Sequence, residues 1–378
     1  MKSLLAPLRT AAKPLLSRFP TIRQLAHDAE ERLDVARHSM ATVWPGLIRP
    51  DPREIFVTLT ANCNLRCVGC RYGRDFMAGS ELPLPMVLDL LEDTKALGIR
   101  SVRLYGGEPL LHKDLPRIVE RSVDLGLHTW LTTNGILLRK KVDDLYAAGL
   151  REIAIGFYGT SEEYDGYVHR PDSFAKMEAG VAFTRERYGS SVRLALGWLL
   201  MRPTCSIEAL HEAWDFALRY KAPLTVNLIH YSLPYFTEGP ERQLAFRPED
   251  RPRLEELVAE LLLLKRAQPD MLANTEIGLR SIPDWLLRGP AMRVPCERYR
   301  LIWIGANGVV QLCYVTFVLG NLHEHRLREL LFTQAHAEAS LDAFELNCPN
   351  CHCSFDTRTR LHAPSRRIYS RDALESRG

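Results

Sequence analysis

Between residues 53 and about 230 the chain alternates short β-rich runs with helical periods, and few folds accommodate that rhythm. β-Formers fill 54–59. The apolar spacing then predicts helix over 84–97, strand over 100–105 closed by Gly106-Gly107, helix over 115–125, strand over 128–132 and helix over 140–148 ending at Gly149. Strand 152–157, helix 173–188, strand 192–200, helix 207–220 and strand 224–229 continue the pattern. Strands alternating with helices imply a parallel sheet joined by right-handed crossovers. The expected fold class is α/β, a partial (β/α)6 TIM-like barrel with its chemistry at the C-terminal strand ends.

After residue 230 the rhythm breaks. Residues 231–248 are loop-like, 252–266 form a leucine-rich helix, and "RLIWIGANGVVQLCYV" (300–315) is a hairpin whose Asn307-Gly308 supplies the positive φ of a tight turn. A helix over 327–340 and "CPNCHC" (348–353) complete a small C-terminal hairpin and helix module. The expected division is a basic helical N-terminal extension (1–50), the barrel (51–235), a helical connection (236–290), the cysteine-bearing module (291–360) and a polar tail (361–378).

Composition closes some routes. Hydrophobic residues make up 46% of 378, enough for a sizeable core. A net charge of +3 is too balanced to predict nucleic acid as a partner. No apolar run is long enough for a transmembrane helix, which needs about 18 residues or more. The first 27 residues carry Lys2, Arg9, Lys13, Arg18 and Arg23, with Pro7, Pro14 and Pro20 interrupting any long helix. Helical packing on the barrel is the plain reading of this segment; contact with an anionic lipid surface is the other.

The nine cysteines are odd in number and bunched in two places, unlike a disulfide framework. Metal or cluster ligation in a reducing, cytoplasmic compartment fits them better. "CNLRCVGC" places Cys63, Cys67 and Cys70 just past the first strand. Tetrahedral zinc and a cubane [4Fe–4S] cluster each take four ligands, so three thiolates leave one position open for chemistry; the bland alternative is a zinc knuckle that borrows a distant ligand. The second strand ends in "LYGGEPLL" (104–111), where two glycines permit close backbone approach and Glu108 offers a carboxylate to a cationic group. The third ends in "LTTNG" (131–135).

C-x3-C-x2-C, Gly-Gly-Glu-Pro and Thr-Asn-Gly after successive strands resemble the radical S-adenosylmethionine superfamily over roughly 53–230. The resemblance implies that Cys63, Cys67 and Cys70 hold a [4Fe–4S] cluster with an open iron for S-adenosylmethionine. It implies that Gly106, Gly107 and Glu108 hold the cofactor's amino group and that Thr133 and Asn134 line its pocket. Cleavage to a 5′-deoxyadenosyl radical, hydrogen abstraction from substrate and a flavodoxin- or ferredoxin-type electron donor follow from the same resemblance. Two positions depart from the family pattern. Gly69 stands where an aromatic residue often packs on adenine, with Tyr72 as its substitute, and Gly156 stands where a serine often meets the ribose.

Cys296, Cys313, Cys348 and Cys351 can converge as four thiolates, and spacing alone does not separate a cluster from structural zinc. The hairpin, "LGNLHEHRLRELL" and terminal C-x2-C are similar to the twitch module, the shortened relative of the SPASM domain. That similarity implies an auxiliary [4Fe–4S] cluster on those four residues, with Cys353 spare or replacing Cys351. By the same analogy the enzyme oxidises or epimerises a small polar metabolite such as a sugar, aminocyclitol or nucleotide. Maturation of a ribosomally made peptide is the alternative, disfavoured by the scarcity of strand-rich sequence before the barrel; lipid modification and a non-catalytic metal scaffold stand further back. Cys205, past the fifth strand, is a candidate hydrogen-atom donor for an epimerase, against the plain reading of a small buried residue. Tyr158, His169, Arg170, His230 and Tyr231 also fall near strand ends.

Overall fold

The computed structural model describes residues 20–229, 235, 239–313 and 316–370. Helix α1 (Pro20–Ala41) precedes six parallel strands with their crossovers: β1 (Glu54–Thr60), α2 (Leu84–Ala96), β2 (Ser101–Gly106), α3 (Leu115–Asp124), β3 (His128–Thr133), α4 (Leu138–Ala147), β4 (Glu152–Phe157), α5 (Ser161–Val168), α6 (Ser173–Tyr188), β5 (Arg193–Leu200), α7 (Ile207–Arg219) and β6 (Leu224–Leu228). Adjacent strands pair in sequence order, giving the partial (β/α)6 barrel.

The period-2 pattern explains the layers. Val102 and Leu104 on β2, Leu131 on β3, and Ile153 and Ile155 on β4 are at most 1% exposed and belong to the main core with the crossover helices. Each such side chain contributes about 1.5–3 kcal/mol by leaving water. Their neighbours in sequence, among them Arg103, Trp130, Thr132 and Gly156, face the barrel interior and line a cavity there.

Two helices, α8 (Arg251–Ala267) and α9 (Glu276–Arg288), connect the barrel to the C-terminal part. Next come β7 (Leu301–Ile304), β8 (Val309–Gln311), β9 (Val318–Asn321), α10 (Leu327–Leu330), α11 (Gln334–Glu345), α12 (Phe355–Leu361) and α13 (Ala363–Tyr369). The expected hairpin forms, but it is not a separate sheet. β7 pairs in parallel with β1, from Glu54 opposite Leu301 to Val57 opposite Ile304, so all nine strands make one sheet ordered β6-β5-β4-β3-β2-β1-β7-β8-β9. The four β7 residues are all buried, which a free hairpin would not achieve.

Three local expectations change. Pro20 does not interrupt α1; it is that helix's first residue, where a missing N–H costs nothing. The predicted helix 327–340 is two helices, broken where Phe332 takes φ 62° and Thr333 caps α11 by accepting the His336 N–H at 3.2 Å. α5, α12 and α13 were not foreseen, and α9 lies within the expected helical connection without having been delimited: α5 is eight residues of mostly polar sequence, and α9 contains Pro283. The described part of α1 packs on the C-terminal part rather than on the barrel, with Asp34 held by Arg300 at 2.7 and 3.0 Å, His38 meeting the Tyr299 hydroxyl at 3.0 Å and Glu31 paired with Arg360 and Arg366. Lys2, Arg9, Lys13 and Arg18 lie outside the described residues. Among the described residues no helix is long and apolar enough to cross a membrane.

Candidate functional site

The loop after β1 folds back on itself. The Gly73 N–H returns to Ala61 O at 2.9 Å, and Gly73 has φ 71° with no room for a Cβ, which would meet Cys63 Cβ at 2.9 Å. Val68 and Arg66 donate to the carbonyls of Tyr167 and Val168 at 2.9 and 3.1 Å, strapping the loop to the end of α5. Arg170 braces it from outside through Asn64 O at 2.8 Å. Cys63, Cys67 and Cys70 are held half-buried within electrostatic reach of one another.

The ends of β2 and β3 close on this loop. The Gly107 and Glu108 N–H groups donate to Thr60 O and Asn62 O, each at 2.8 Å. A Cβ on Gly106 would strike Thr60 O, and one on Gly107 would strike Asn62 O and lie 2.6 Å from Ala61 O. The Gly-Gly pair thus admits the protein's own cysteine loop as well as facing the cavity. Glu108 is fully buried behind the cavity wall. It accepts the Thr133 hydroxyl at 2.7 Å and the N–H groups of Asn134 and Leu110 at 2.8 and 3.0 Å. Burial pushes its carboxyl up to about 7 against those donors. Asn134 Nδ2 reaches Asn64 Oδ1 at 2.8 Å and lies 4.0 Å from Cys63 Sγ.

Cys63, Cys67, Cys70, Gly106, Gly107, Thr133 and Asn134 line one cavity of about 440 Å³ at the C-terminal strand ends. That is within the ordinary range of ligand pockets, about 300–1,000 Å³. Burial pushes the thiols of Cys63 and Cys70 up to about 12 and about 11, and that of Cys67 well above its usual value. Thiols so placed stay protonated and inert unless a bound cation stabilises their thiolates, as iron does. Three sulfurs on one loop with an adjoining cavity therefore fit a cluster with an open iron. Among the described residues no three His, Cys, Asp or Glu side chains converge tightly enough to grip a single metal ion.

Residues 57–197 match the family profile described as the radical SAM superfamily. This segment belongs to the radical SAM superfamily. The cofactors of that superfamily are a [4Fe–4S] cluster and S-adenosylmethionine. The chain is 33% identical over 138 residues to an AdoMet-dependent heme synthase of Methanosarcina barkeri, covering 36% of this chain and 40% of that protein. It is 26% identical over 286 residues to a PqqA peptide cyclase of Xanthomonas campestris pv. campestris, covering 74% of this chain and 72% of that one. The crystal structure of Streptococcus suis SuiB bound to the precursor peptide SuiA shares the fold, with a TM-score of 0.59 at 17% identity over 78% of this chain and 67% of SuiB. The first curated relatives are matched over only 33% to 58% of their length.

The chain carries its second cysteine set at the foot of β7 and β8. Cys296, Cys313, Cys348, Cys351 and Cys353 line one small pocket of about 30 Å³. Arg358, 1% exposed, holds the 348–353 loop there: it donates to Cys351 O and Asn350 Oδ1, both at 2.7 Å, and to Val294 O. Burial raises the Cys296 and Cys348 thiols. Of the five, Cys353 also lines the large cavity.

Other expected residues separate. Cys205 is 0% exposed, packs in the main core and is not part of the cavity wall. His169 caps α5 in a left-handed conformation and does not line the cavity either. His230 and Tyr231 lie outside the described residues. Tyr72, Tyr158 and Tyr167 are all at the wall. A Cβ on Gly156 would lie 2.9 Å from Tyr158 Cζ, so the Tyr158 phenol takes the space that a side chain at 156 would need. Sequence reasoning missed Phe56, Arg103 and Trp130. The signal was an arginine in mid-strand, in "SVRLYG", at the inward phase of the alternation.

Proposed function

We propose that the chain is an enzyme that binds S-adenosylmethionine at a cluster on Cys63, Cys67 and Cys70 and acts on a small polar metabolite by oxidation or epimerisation. When bound and reduced, the cluster supplies one electron that splits the sulfonium into methionine and a 5′-deoxyadenosyl radical, which takes a hydrogen atom from substrate. The convergence of the three thiols, the Gly106-Gly107 backbone and Thr133–Asn134 on one cavity carries this reading. In it, Gly106, Gly107, Thr133 and Asn134 contact the cofactor, and Glu108 ties the ends of β2 and β3 so that they do. Tyr72, Tyr158 and Tyr167 form an aromatic wall that excludes water. Cys296, Cys313, Cys348 and Cys351 hold an auxiliary [4Fe–4S] cluster, and a flavodoxin- or ferredoxin-type protein delivers the electron. Cys205, buried away from the cavity, has no part in this reading.

Peptide maturation is the second reading. Its support is the likeness to the PqqA peptide cyclase, whose 286 aligned residues are more than the barrel alone would supply.

Electron paramagnetic resonance of anaerobically reconstituted, dithionite-reduced protein tests the cofactor assignment. A [4Fe–4S]+ signal that shifts when S-adenosylmethionine is added supports it. An unchanged signal from fully loaded protein counts against it.

A further inference from the structure

We infer that the substrate of this site carries an oxyanion, a carboxylate or phosphate group, that is held by Arg103 on the inner wall of the barrel. The inference rests on the reading of the cavity as the active site and adds the substrate's charge class to it.

Val102 and Leu104 are 0% exposed beneath the crossover helices, so the alternation of β2 turns Arg103 inward. Arg103 pairs across the sheet with Phe56 on β1 and Trp130 on β3. Its guanidinium carbon lies 4.7 Å from the Phe56 ring centre, 4.6 Å from that of Trp130 and 5.3 Å from that of Tyr105. Nε–H donates to Thr132 Oγ1 at 2.8 Å.

Arginine inside a protein ordinarily has a carboxylate partner. Among the described residues no Asp or Glu lines this cavity and none pairs with Arg103. The inward carboxylate of Glu54 is taken by Trp130 Nε1–H and the Ser101 hydroxyl, each at 2.9 Å. Aromatic faces stabilise the cation by about 0.5–2 kcal/mol but accept none of its N–H groups. The unspent donors form a planar fork that fits a carboxylate or phosphate in a bidentate manner. Arg298 lines the same cavity, 5.9 Å from the Phe56 ring centre, and is paired with Glu297 at 3.9 Å, so the cation without a carboxylate there is Arg103. A cationic substrate would meet the Arg103 guanidinium with no carboxylate in the described lining to offset it.

Calorimetric titration of the full-length reconstituted holoenzyme with inorganic phosphate and with succinate tests the inference, in a buffer free of other oxyanions. The wild type is expected to bind at least one, more weakly as ionic strength rises. Arg103→Gln is expected to lose at least tenfold in affinity and Arg103→Lys less. Cluster absorbance and far-ultraviolet circular dichroism establish that each variant is folded. Should Arg103→Gln fail to fold, Thr132→Val, which removes only the Nε–H acceptor, is expected to lose several-fold. The inference is overturned if neither anion binds the wild type, or if Arg103→Gln binds as well as wild type. It is also overturned if the variant loses S-adenosylmethionine binding in parallel, since the arginine would then serve the cofactor. A resonance signal indifferent to S-adenosylmethionine sinks the radical reading itself; failed anion binding with that shift intact sinks only the substrate's charge class.

Discussion

The carboxylate of Glu108, just past the end of β2, accepts the backbone N–H of Asn134, just past the end of β3, at 2.8 Å. The Thr133 hydroxyl and the Leu110 N–H complete its set of donors. Burial nevertheless pushes its carboxyl from the ordinary 4.5 up to about 7. The folded chain therefore holds this proton more tightly than the unfolded one. Its contribution is fullest below about 4.5, falls as pH rises to about 7 and is flat above. Glu108→Gln removes that dependence and sets an amide NH2 against a donor, at a cost of about 1–3 kcal/mol. Urea unfolding of cluster-free protein at pH 5.5 and pH 8 checks this. The loss of stability between the two should be smaller in the variant; an identical loss would place Glu108's titration elsewhere.

Gly107→Ala should disturb the cysteine loop without touching a cysteine. The added Cβ would strike the carbonyls of Asn62 and Ala61, which are backbone and have little room to yield. We expect a loss of about 1–3 kcal/mol and reduced iron loading in the same preparation. Thermal unfolding and iron analysis together test it; full loading at unchanged stability would show that the loop tolerates the shift.

Asp93 on α2 is 0% exposed and accepts Arg326 Nε and Nη2 at 3.0 and 2.9 Å, and Arg328 Nε at 2.5 Å. Burial alone would raise its carboxyl; the Arg328 and Arg326 hydrogen bonds outweigh that and hold it below the ordinary 3.8. Its contribution is present above 3.8 and lost as pH falls through the lower folded value. Asp93→Asn should cost about 2–3 kcal/mol at neutral pH, less than a fully buried pair because both arginines are part-exposed. Denaturant unfolding at pH 7 measures it, and a change under about 0.5 kcal/mol would mean that the pair is screened.

Iron and acid-labile sulfide analysis separates the second site's ligands. With two cubanes the wild type should hold about eight irons per chain, and Cys351→Ala about four. Cys353→Ala should keep about eight. Loss of iron in Cys353→Ala and not in Cys351→Ala would exchange their roles, and about four irons in the wild type would remove the auxiliary cluster.

The barrel was legible because each strand's alternation and each helix's period are local properties, and the ends of strands differ from expectation by a residue or so. The residues brought to the cavity were legible for a different reason: Cys63, Gly107 and Asn134 each follow a strand, and strand ends in such a sheet share one rim. What stayed hidden depends on partners distant in sequence. β7 reads as half of a hairpin, and only its pairing with β1, some 250 residues earlier, makes it part of the barrel sheet. Arg103 reads as one polar residue in a strand until Phe56 and Trp130 close around it. Cys205 sits at the right position along the chain for the rim yet turns into the core, because its side-chain direction is set by packing that spacing does not encode.

The central claim is that three cysteines on the loop after β1 make the chain a catalyst of S-adenosylmethionine cleavage. Its most direct test is chromatographic measurement of 5′-deoxyadenosine released from S-adenosylmethionine by reconstituted, dithionite-reduced protein. Wild-type protein should release it, slowly even without substrate, and Cys67→Ala should release none. No release from wild-type protein carrying its full complement of iron and sulfide, or equal release by Cys67→Ala, would contradict the account.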